Sequence, residues 1–234
     1  MKPSASLSGK TLFITGASRG IGLAIALRAA RDGANIAIAA KTAAPHPKLP
    51  GTIHTAAAEI EAAGYPQAAV IPFNLETALA HQYEELAAMV EREFGHLDGL
   101  LHNAAILGPR TPLEQMSGDN FMRVMQVNVN ATFMLTSTLL PLLKLSKDAS
   151  VIFTSSSVGR KGRAYWGAYA TSKFANEGLM QVLADEMDGI CPGRANSINP
   201  GATRTGMRAQ AYPGENPVNN PLPEAIMPLY LYLM

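Results

Sequence analysis

The first part of the chain places a short strand, a glycine-rich turn and a helix in immediate succession. Residues 11–15 form an apolar, β-prone run, and an Ala/Leu/Ile-rich helical pattern extends over 20–32. Between them stand Gly16, Gly20 and Gly22. Glycines at this spacing let the backbone turn tightly and approach a pyrophosphate, while the start of the helix offers free N–H groups and a positive dipole. The order predicts a dinucleotide-binding α/β fold, with a glycine-rich turn that holds no ligand as the alternative.

The rest of the chain continues to alternate between strand-like and helical patterns. Strands are predicted at 34–40, 68–73, 97–101, 151–153 and 194–199, and helices at 52–63, 77–94, 117–146 and 223–234. Such alternation predicts a parallel sheet with right-handed crossovers. We therefore expect one doubly wound Rossmann-type α/β domain over residues 1–234, with six parallel strands in the order 3-2-1-4-5-6 and helices on both faces.

Proline and glycine mark the expected irregular segments. Three prolines make 42–51 a loop, and Pro141 predicts a kink in the helix at 117–146. Residues 206–223 are rich in Pro, Gly and Asn. We expect them to form a mobile substrate loop over the pocket.

Composition excludes several classes of function. The formal charge of +1 leaves no electrostatic footprint for nucleic acid or an anionic membrane surface. The one cysteine, Cys191, rules out an intrachain disulfide and fits a reducing compartment. Residues 1–10 lack the apolar core of a signal peptide, no apolar run is long enough to span a bilayer, and no His/Cys/carboxylate cluster has metal-ligand spacing. We expect a cytoplasmic protein without a metal.

A candidate proton-transfer group lies in the second half of the chain. Tyr169 and Lys173 are four residues apart, so a helix would bring them to one face. An ammonium at that distance is expected to lower the pKa of the phenol from about 10 toward neutrality. Ser156 follows the apolar run 151–153 and could hold a carbonyl oxygen against Tyr169. The alternative interpretation is that the Tyr-x-x-x-Lys spacing arises by chance in a helix and has no catalytic role.

A basic residue follows each of the first two predicted strands, Arg19 after the first and Lys41 after the second. An acidic residue at the end of the second strand would instead favour NAD. The second strand ends at Ala40, which cannot bind a ribose 2′-hydroxyl, whereas Lys41 and Arg19 could pair with a 2′-phosphate. This favours NADP over NAD, with ordinary solvated charges as the alternative. Asn74 ends the third strand, where an adenine edge could lie. Asn128 lies in an apolar helical stretch, where it could hold a backbone carbonyl or a water in a proton path.

Six features of the sequence together resemble the short-chain dehydrogenase/reductase family, and the resemblance extends over about residues 7–234. They are the glycine loop at 15–22, the His102-Asn103-Ala104-Ala105 turn, Asn128, Ser156, the Tyr169/Lys173 pair and Pro200-Gly201. The resemblance implies a catalytic group in which Tyr169 is the acid/base, Lys173 lowers its pKa and holds the nicotinamide ribose, Ser156 orients the substrate oxygen and Asn128 anchors a water relay. It implies a cofactor site formed by Gly16, Ser18, Arg19, Gly20, Ile21, Gly22, Lys41, Asn74, Asn103, Ala104, Lys173, Pro200, Gly201 and Thr205, in which Thr205 reaches the carboxamide.

The chain departs from the family pattern in three ways. His102 and Ala105 replace the commoner Asn and Gly of their turn, and the usual seventh strand after the last helix is not found. Residues up to about 63 resemble hydroxysteroid-dehydrogenase-like proteins, whereas segments from about 98 onward resemble a different, poorly characterised bacterial oxidoreductase branch. A mosaic or engineered chain is therefore a live hypothesis.

These features lead us to expect an NADP-preferring carbonyl reductase or alcohol dehydrogenase that acts on a small molecule. In it, hydride passes between nicotinamide and substrate while Tyr169 exchanges the proton. Tyr165, Trp166 and the 206–223 loop suggest an apolar pocket wall. The family resemblance implies a homodimer or homotetramer. Two alternatives stay open: a cofactor-binding sensor or scaffold without turnover, and an epimerase or dehydratase that recycles its cofactor.

Overall fold

Six parallel strands form the centre of the structure, a computed structural model that describes residues 6–47 and 50–234. The sheet order is β3-β2-β1-β4-β5-β6, as the alternating pattern predicts. The strands are β1 (Thr11–Thr15), β2 (Asn35–Ala40), β3 (Ala69–Pro72), β4 (Gly99–His102), β5 (Ala149–Thr154) and β6 (Gly193–Ile198). Because all six run in the same direction, their carboxyl ends meet at one edge, where ligands bind in open α/β sheets.

Helices cover both faces of this sheet. They are α1 (Gly20–Arg31), α2 (Ile53–Ala62), α3 (Ala80–Phe94), α4 (Gly118–Met125), α5 (Ala131–Leu143), α6 (Gly167–Met187), α7 (Gly206–Ala211) and α8 (Met227–Leu233). Side chains alternate along β1: Leu12 and Ile14 pack with α1, α2 and α8 on one face, whereas Phe13 packs with α3, α5 and α6 on the other. Strands buried on both faces explain why the sequence shows continuous apolar runs rather than alternation.

The helix predicted at 117–146 is divided by a π-helical turn. Residues Gln126–Asn130 form this wider turn between α4 and α5. Pro141, where we expected the irregularity, lies inside α5. The π turn frees the Asn128 carbonyl from the regular helical ladder. That oxygen accepts hydrogen bonds from Asn176 Nδ2 at 3.0 Å and Thr132 Oγ1 at 2.9 Å.

The segment 206–223 is more ordered than its composition predicted. Residues Gly206–Ala211 form α7, and Pro217–Asn219 form a short 3-10 turn. The loop expected over 206–223 therefore begins with a helical segment, and the contact with a substrate stays a prediction. The reason for this order lies in local capping: Thr205 Oγ1 accepts from Arg208 N at 3.2 Å, and Asn216 Oδ1 accepts from Val218 N at 3.2 Å.

The last helix is docked against the sheet and α1. Tyr230 of α8 is fully buried, and its hydroxyl lies 3.1 Å from Thr154 Oγ1 at the end of β5. Within the described residues no strand pairs with the outer side of β6. A surface groove of about 460 Å³ runs between β6 and α6 there. Over the described residues, no helix combines the length and apolar character required to cross a bilayer.

Candidate active site

The hydroxyl of Tyr169, the hydroxyl of Ser156 and the ammonium of Lys173 meet at the end of β5. Tyr169 and Lys173 lie one turn apart on α6, and only 9% and 3% of their surfaces are exposed. The Ser156 side chain interacts with the Tyr169 hydroxyl and favours its phenolate form. Lys173 Nζ lies 5.5 Å from the Tyr169 ring centre and donates to Thr154 O at 2.7 Å. The structure thus brings the three predicted residues together.

The pKa of Tyr169 runs against the expectation from sequence. Burial raises it to about 12, and the interaction with Ser156 offsets only part of this rise. Burial also lowers the pKa of Lys173 to about 8, although the charge of Glu177 counteracts the shift. Burial of Tyr169 thus opposes the lowering of its pKa that the sequence predicts, and the Lys173 ammonium donates its hydrogen bond to the Thr154 carbonyl.

Asn128 connects the segment after β4 to the helix that carries Tyr169. Its side chain is buried, accepts from Ile106 N at 2.8 Å, and donates to Ile106 O and Ser172 Oγ, each at 3.0 Å. The prediction that Asn128 holds a backbone carbonyl is confirmed. Its own carbonyl already accepts from Asn176 and Thr132. The contact of the Asn128 side chain with Ser172 therefore fixes the position of α6. A water at the Asn128 carbonyl would compete with Asn176 and Thr132 for that oxygen.

The glycine loop after β1 has no space for a side chain at Gly16 or Gly22. A Cβ on Gly22 would lie 2.4 Å from Gly16 O, and one on Gly16 would lie 2.8 Å from Ala104 Cα. Gly16 also has a φ of +69°, in the left-handed region that favours glycine. A Cβ on Gly20 would come within 3.5 Å of Thr205 Cγ2, so the segment after β6 borders this loop.

Thr15, at the end of β1, joins the loop to the Asn103-Ala104 turn and was not singled out from sequence. Its Oγ1 accepts from Asn103 N at 3.0 Å and from Ala104 N at 3.1 Å, and donates to Leu101 O at 3.2 Å. The available signal is a hydroxyl at the carboxyl end of an otherwise apolar strand. Ser18 and Ile21 complete the loop, with Ser18 buried.

Arg19 and Lys41 follow adjacent strands, since Thr15 of β1 pairs with Ala39 of β2. Arg19 Nη2 donates to Gly51 O at 3.3 Å, whereas its Nε is buried without a hydrogen-bond partner in the described part of the chain. Burial lowers the pKa of Arg19. A polar atom left unsatisfied beside a glycine loop indicates a place for an acceptor ligand.

Glu76 shares an ion-pair cluster with Lys41, which sequence reasoning missed. Lys41 Nζ lies 3.3 Å from Glu76 Oε2, and Arg123 binds the same carboxylate through Nε at 2.7 Å and Nη2 at 3.2 Å. Both cations hold the pKa of Glu76 below its usual range, Arg123 more strongly. Asn74 Oδ1 accepts from Glu76 N at 3.1 Å, so the amide oxygen that could accept from adenine already has a donor.

The segment after β6 completes the edge. Gly201, with a φ of +68°, follows Pro200 and donates its N–H to Asn199 Oδ1 at 3.1 Å. Thr205 caps α7 through its hydroxyl, while its methyl group lies next to Gly20. Gly201 lines a cleft of about 270 Å³, whose other walls are Ser156, Ser157, Val158, Arg163, Trp166, Asn199, Ala202, Arg208 and Tyr212.

His102 is a core residue of β4. It is buried, its Nε2 lies 2.9 Å from Thr136 Oγ1, and its ring packs 4.9 Å from that of Phe153. Burial, aided by the charge of Lys173, lowers the pKa of His102 to about 3. The ring is therefore neutral at physiological pH and supports the sheet. Across the described residues no group of three or more His, Cys, Asp or Glu side chains could hold a metal ion.

A parallel sheet of this order, a glycine loop after β1 and a Ser-Tyr-Lys group after β5 together define an oxidoreductase of the Rossmann type. The family model described as short chain dehydrogenase matches residues 10–216. The chain belongs to the short chain dehydrogenase family.

Similar proteins cover both halves of the chain. The uncharacterized oxidoreductase YciK of Escherichia coli K12 is 46% identical over 228 residues, which is 97% of this chain and 87% of YciK. Hydroxysteroid dehydrogenase-like protein 2 of Xenopus laevis is 47% identical over 146 residues, 62% of this chain, and only 34% of that protein is covered.

Two solved structures superpose on nearly the whole chain. A chain described as a short chain dehydrogenase from Pseudomonas syringae is 63% identical, with a TM-score of 0.93, and covers 99% of this chain and 90% of its own. One from Escherichia coli CFT073, complexed with NADPH, is 45% identical with a TM-score of 0.92. The match covers 98% of this chain and 92% of the Escherichia coli chain. Because single relatives match both halves, the two resemblances in the sequence do not require a mosaic chain.

Proposed function

We propose that this protein is an NADP-preferring carbonyl reductase or alcohol dehydrogenase in which Tyr169 exchanges the proton. The observation that carries the proposal is the contact of the Tyr169 hydroxyl with Ser156, one helical turn from the Lys173 ammonium. These groups lie at the same sheet edge as the glycine loop, because both follow the carboxyl ends of parallel strands. Such an arrangement suits a carbonyl oxygen next to a nucleotide.

The chain's residues fit a bound NADP. The glycine loop has the close backbone approach that a pyrophosphate needs, and Ser18, Ile21, Asn103 and Ala104 border it. The unpartnered Arg19 Nε suits an added acceptor, and β2 ends at Ala40 without a carboxylate that would repel a 2′-phosphate. Lys41 supplies the second cation once it leaves Glu76. Two relatives complexed with NADP or NADPH support this assignment.

The catalytic roles follow from the contacts. When bound, the nicotinamide supplies or accepts the hydride. Ser156 donates its hydrogen bond to the carbonyl oxygen and orients it toward Tyr169, whose phenol gives up the proton as charge develops on that oxygen. Lys173, fixed by Thr154 O, stabilises the phenolate left behind. Asn128 keeps α6 in register with the segment after β4.

The pKa of Tyr169 supports the presence of the proton-donating form that carbonyl reduction requires. With a pKa of about 12 the phenol is protonated throughout the neutral range, so it is ready to donate a proton and reluctant to accept one. Alcohol oxidation needs the phenolate, which becomes available only when the charge of Lys173 or a bound nucleotide lowers this pKa. Reduction is therefore expected to stay active at neutral pH while oxidation increases with pH.

We further propose that residues 1–234 act as one nucleotide-binding unit and that 206–223 contacts the substrate. Arg208 and Tyr212 of this segment line the cleft beside Ser156. Gly201, with Pro200 before it, forms the adjoining wall, and Thr205 adjoins the glycine loop, where it would meet the nicotinamide end of the cofactor.

A homodimer or homotetramer is the assembly we propose. Helices α4, α5 and α6 expose large apolar side chains, among them Met122, Phe133, Phe174 and Val182. Large exposed apolar side chains of this kind are typical of surfaces that bind another protein chain. Light scattering coupled to size exclusion is expected to give a multiple of 24.8 kDa, and Phe174→Glu should shift it toward the monomer.

The test of the function is nucleotide binding followed by turnover. Fluorescence titration is expected to give tighter binding of NADPH than of NADH. NADPH oxidation should then be detected against a panel of aldehydes and ketones. Arg19→Ala and Lys41→Ala should each weaken NADPH binding by about tenfold while changing NADH binding little, because each removes one charge-assisted contact to the 2′-phosphate.

Three outcomes would count against the proposal. Equal losses for NADPH and NADH would refute the 2′-phosphate assignment. NADPH binding without turnover of any carbonyl compound would favour a cofactor-binding protein. Failure to bind either nucleotide would reject both functions.

A further inference from the structure

The cleft beside Ser156 has an aromatic wall that continues from Tyr169. The Trp166 ring lies 5.9 Å from the ring of Tyr169 and 5.9 Å from that of Tyr212. Trp166 and Tyr212 both line the cleft. A flat apolar group can therefore pack along two rings while its carbonyl reaches Ser156 and Tyr169.

Arginines surround this wall. Arg110 lies 4.9 Å from the Trp166 ring centre and 5.3 Å from that of Tyr212, and Arg208 lies 3.8 Å from the Tyr212 ring centre. Arg208 is neutralised by Glu215, through contacts of 2.6 and 2.7 Å. Rings that hold guanidinium groups in place reduce the entropy lost when those groups bind a ligand.

Arg163 differs from Arg208 because its charge has no protein partner. It lines the cleft, and among the described residues its side chain forms no hydrogen bond or ion pair. The described lining contains two arginines and no acidic residue, and the one acidic group next to it, Glu215, is already bound to Arg208. Arg163 thus brings an uncompensated positive charge to the cleft, and Arg110, packed on the rings of Trp166 and Tyr212, adds a second one beside it.

The backbone that carries Arg163 is held in a strained turn. Trp166 N donates to Arg163 O at 3.2 Å, closing a turn in which Tyr165 has a φ of +70°. Tyr165 is the one non-glycine residue with positive φ in the described chain. Such strain at a ligand cleft indicates that the turn is fixed for a purpose, here the presentation of Arg163 and Trp166 together.

We propose that the cleft selects carbonyl compounds that carry a carboxylate on a flat apolar body, with Arg163 as the residue that binds the carboxylate. This specificity rests on the proposed reductase function. The planar guanidinium of Arg163 can bind a carboxylate through two parallel hydrogen bonds. A cleft of about 270 Å³ suits a small substrate.

The experiment compares 4-formylbenzoate with its methyl ester, which keeps the ring and aldehyde but removes the charge. Calorimetry on the protein, alone and with NADP⁺, measures binding, and NADPH oxidation measures kcat/KM. The wild type is expected to prefer the acid by about tenfold or more in both measurements. Arg163→Ala and Arg163→Gln should reduce the preference to within about twofold, as expected if the bidentate contact is its source.

Lys161→Ala provides the matched control. Lys161 is an exposed cation two residues from Arg163 that does not line the cleft, so its loss removes the same charge without the contact. The preference for the acid should survive this change. An ester that binds as well as the acid, an acid that does not bind, or equal losses in the Lys161 and Arg163 variants would overturn the proposal.

A third compound, 4-formylphenyl phosphate, separates the two kinds of anion. Its tighter binding would overturn the assignment to a carboxylate. If NADPH binds but neither aldehyde is reduced, the proposed reductase function fails, while calorimetry still decides whether the carboxylate site exists.

Discussion

Replacing Lys173 by Met should raise the free energy of unfolding, relative to wild type, more at low pH than at high pH when no nucleotide is bound. Lys173 is 3% exposed, and burial lowers its pKa from 10.5 to about 8. The folded protein therefore releases this proton above about pH 8, whereas the unfolded chain keeps it until about 10.5. Below pH 8 the folded state bears the full cost of a buried ammonium, and the cost falls as pH rises.

The magnitude follows from the shift at about 1.4 kcal/mol per pH unit. Burial of the charged Lys173 costs about 3 kcal/mol at pH 6 and about 1 kcal/mol at pH 10. The wild type should therefore gain about 2 kcal/mol on the variant across this range. Methionine cannot form the hydrogen bond from Lys173 to Thr154 O; this bond is charge-assisted, so its pH-dependent part already contributes to the pKa of Lys173.

Urea unfolding of both proteins from pH 6 to 10, at constant ionic strength, measures this difference. The upper limit lies at the ordinary pKa of tyrosine, about 10, and the raised pKa values of Tyr169 and Tyr230 affect both proteins alike. Lys161→Met, a change at an exposed lysine, serves as the control and should show a constant difference from wild type. A constant or oppositely sloped difference for Lys173→Met would refute the buried-charge account.

Two further predictions concern the cofactor edge and the fold. Glu76→Gln should tighten NADPH binding by about two- to fivefold without changing NADH binding, because it frees Lys41 from its ion pair. Arg123→Gln should instead weaken NADPH binding, because it leaves the Glu76 carboxylate paired with Lys41 alone. Parallel NADH titrations would reveal a nonspecific effect. Gly22→Ala should destabilise the protein by about 2 kcal/mol or more in urea unfolding, since its Cβ would meet Gly16 O at 2.4 Å. Gly178→Ala, in an open position inside α6, should instead stabilise it by about 1 kcal/mol, and a reversed order would contradict the packing described.

The sheet and its order were predictable because each signal is local. Continuous apolar runs, glycines between strand and helix, and the strict alternation of elements fix a parallel sheet with few alternative topologies. The Ser156, Tyr169 and Lys173 group was predictable for the same reason. Two members share a helix face, and the third follows a strand whose end must reach that edge.

What the sequence did not reveal depends on packing between distant segments. The Lys173 ammonium donates to the Thr154 carbonyl, a contact that its spacing from Tyr169 does not reveal. Glu76 binds Lys41, which lies 35 positions earlier in the chain. The pKa of Tyr169 depends on burial by surrounding elements, which no four-residue spacing encodes. The π turn at Gln126–Asn130 escaped detection because one wide turn barely changes helical periodicity.

The central claim is that Tyr169 donates the proton in an NADPH-dependent reduction. The most direct test is Tyr169→Phe, which removes the hydroxyl and leaves the ring packed beside Trp166. NADPH affinity and the rate of carbonyl reduction are measured for both proteins at neutral pH. We expect nearly unchanged affinity and a loss of on the order of a hundredfold or more in turnover. Turnover that stays at the wild-type rate would contradict the assignment of Tyr169 as the proton donor.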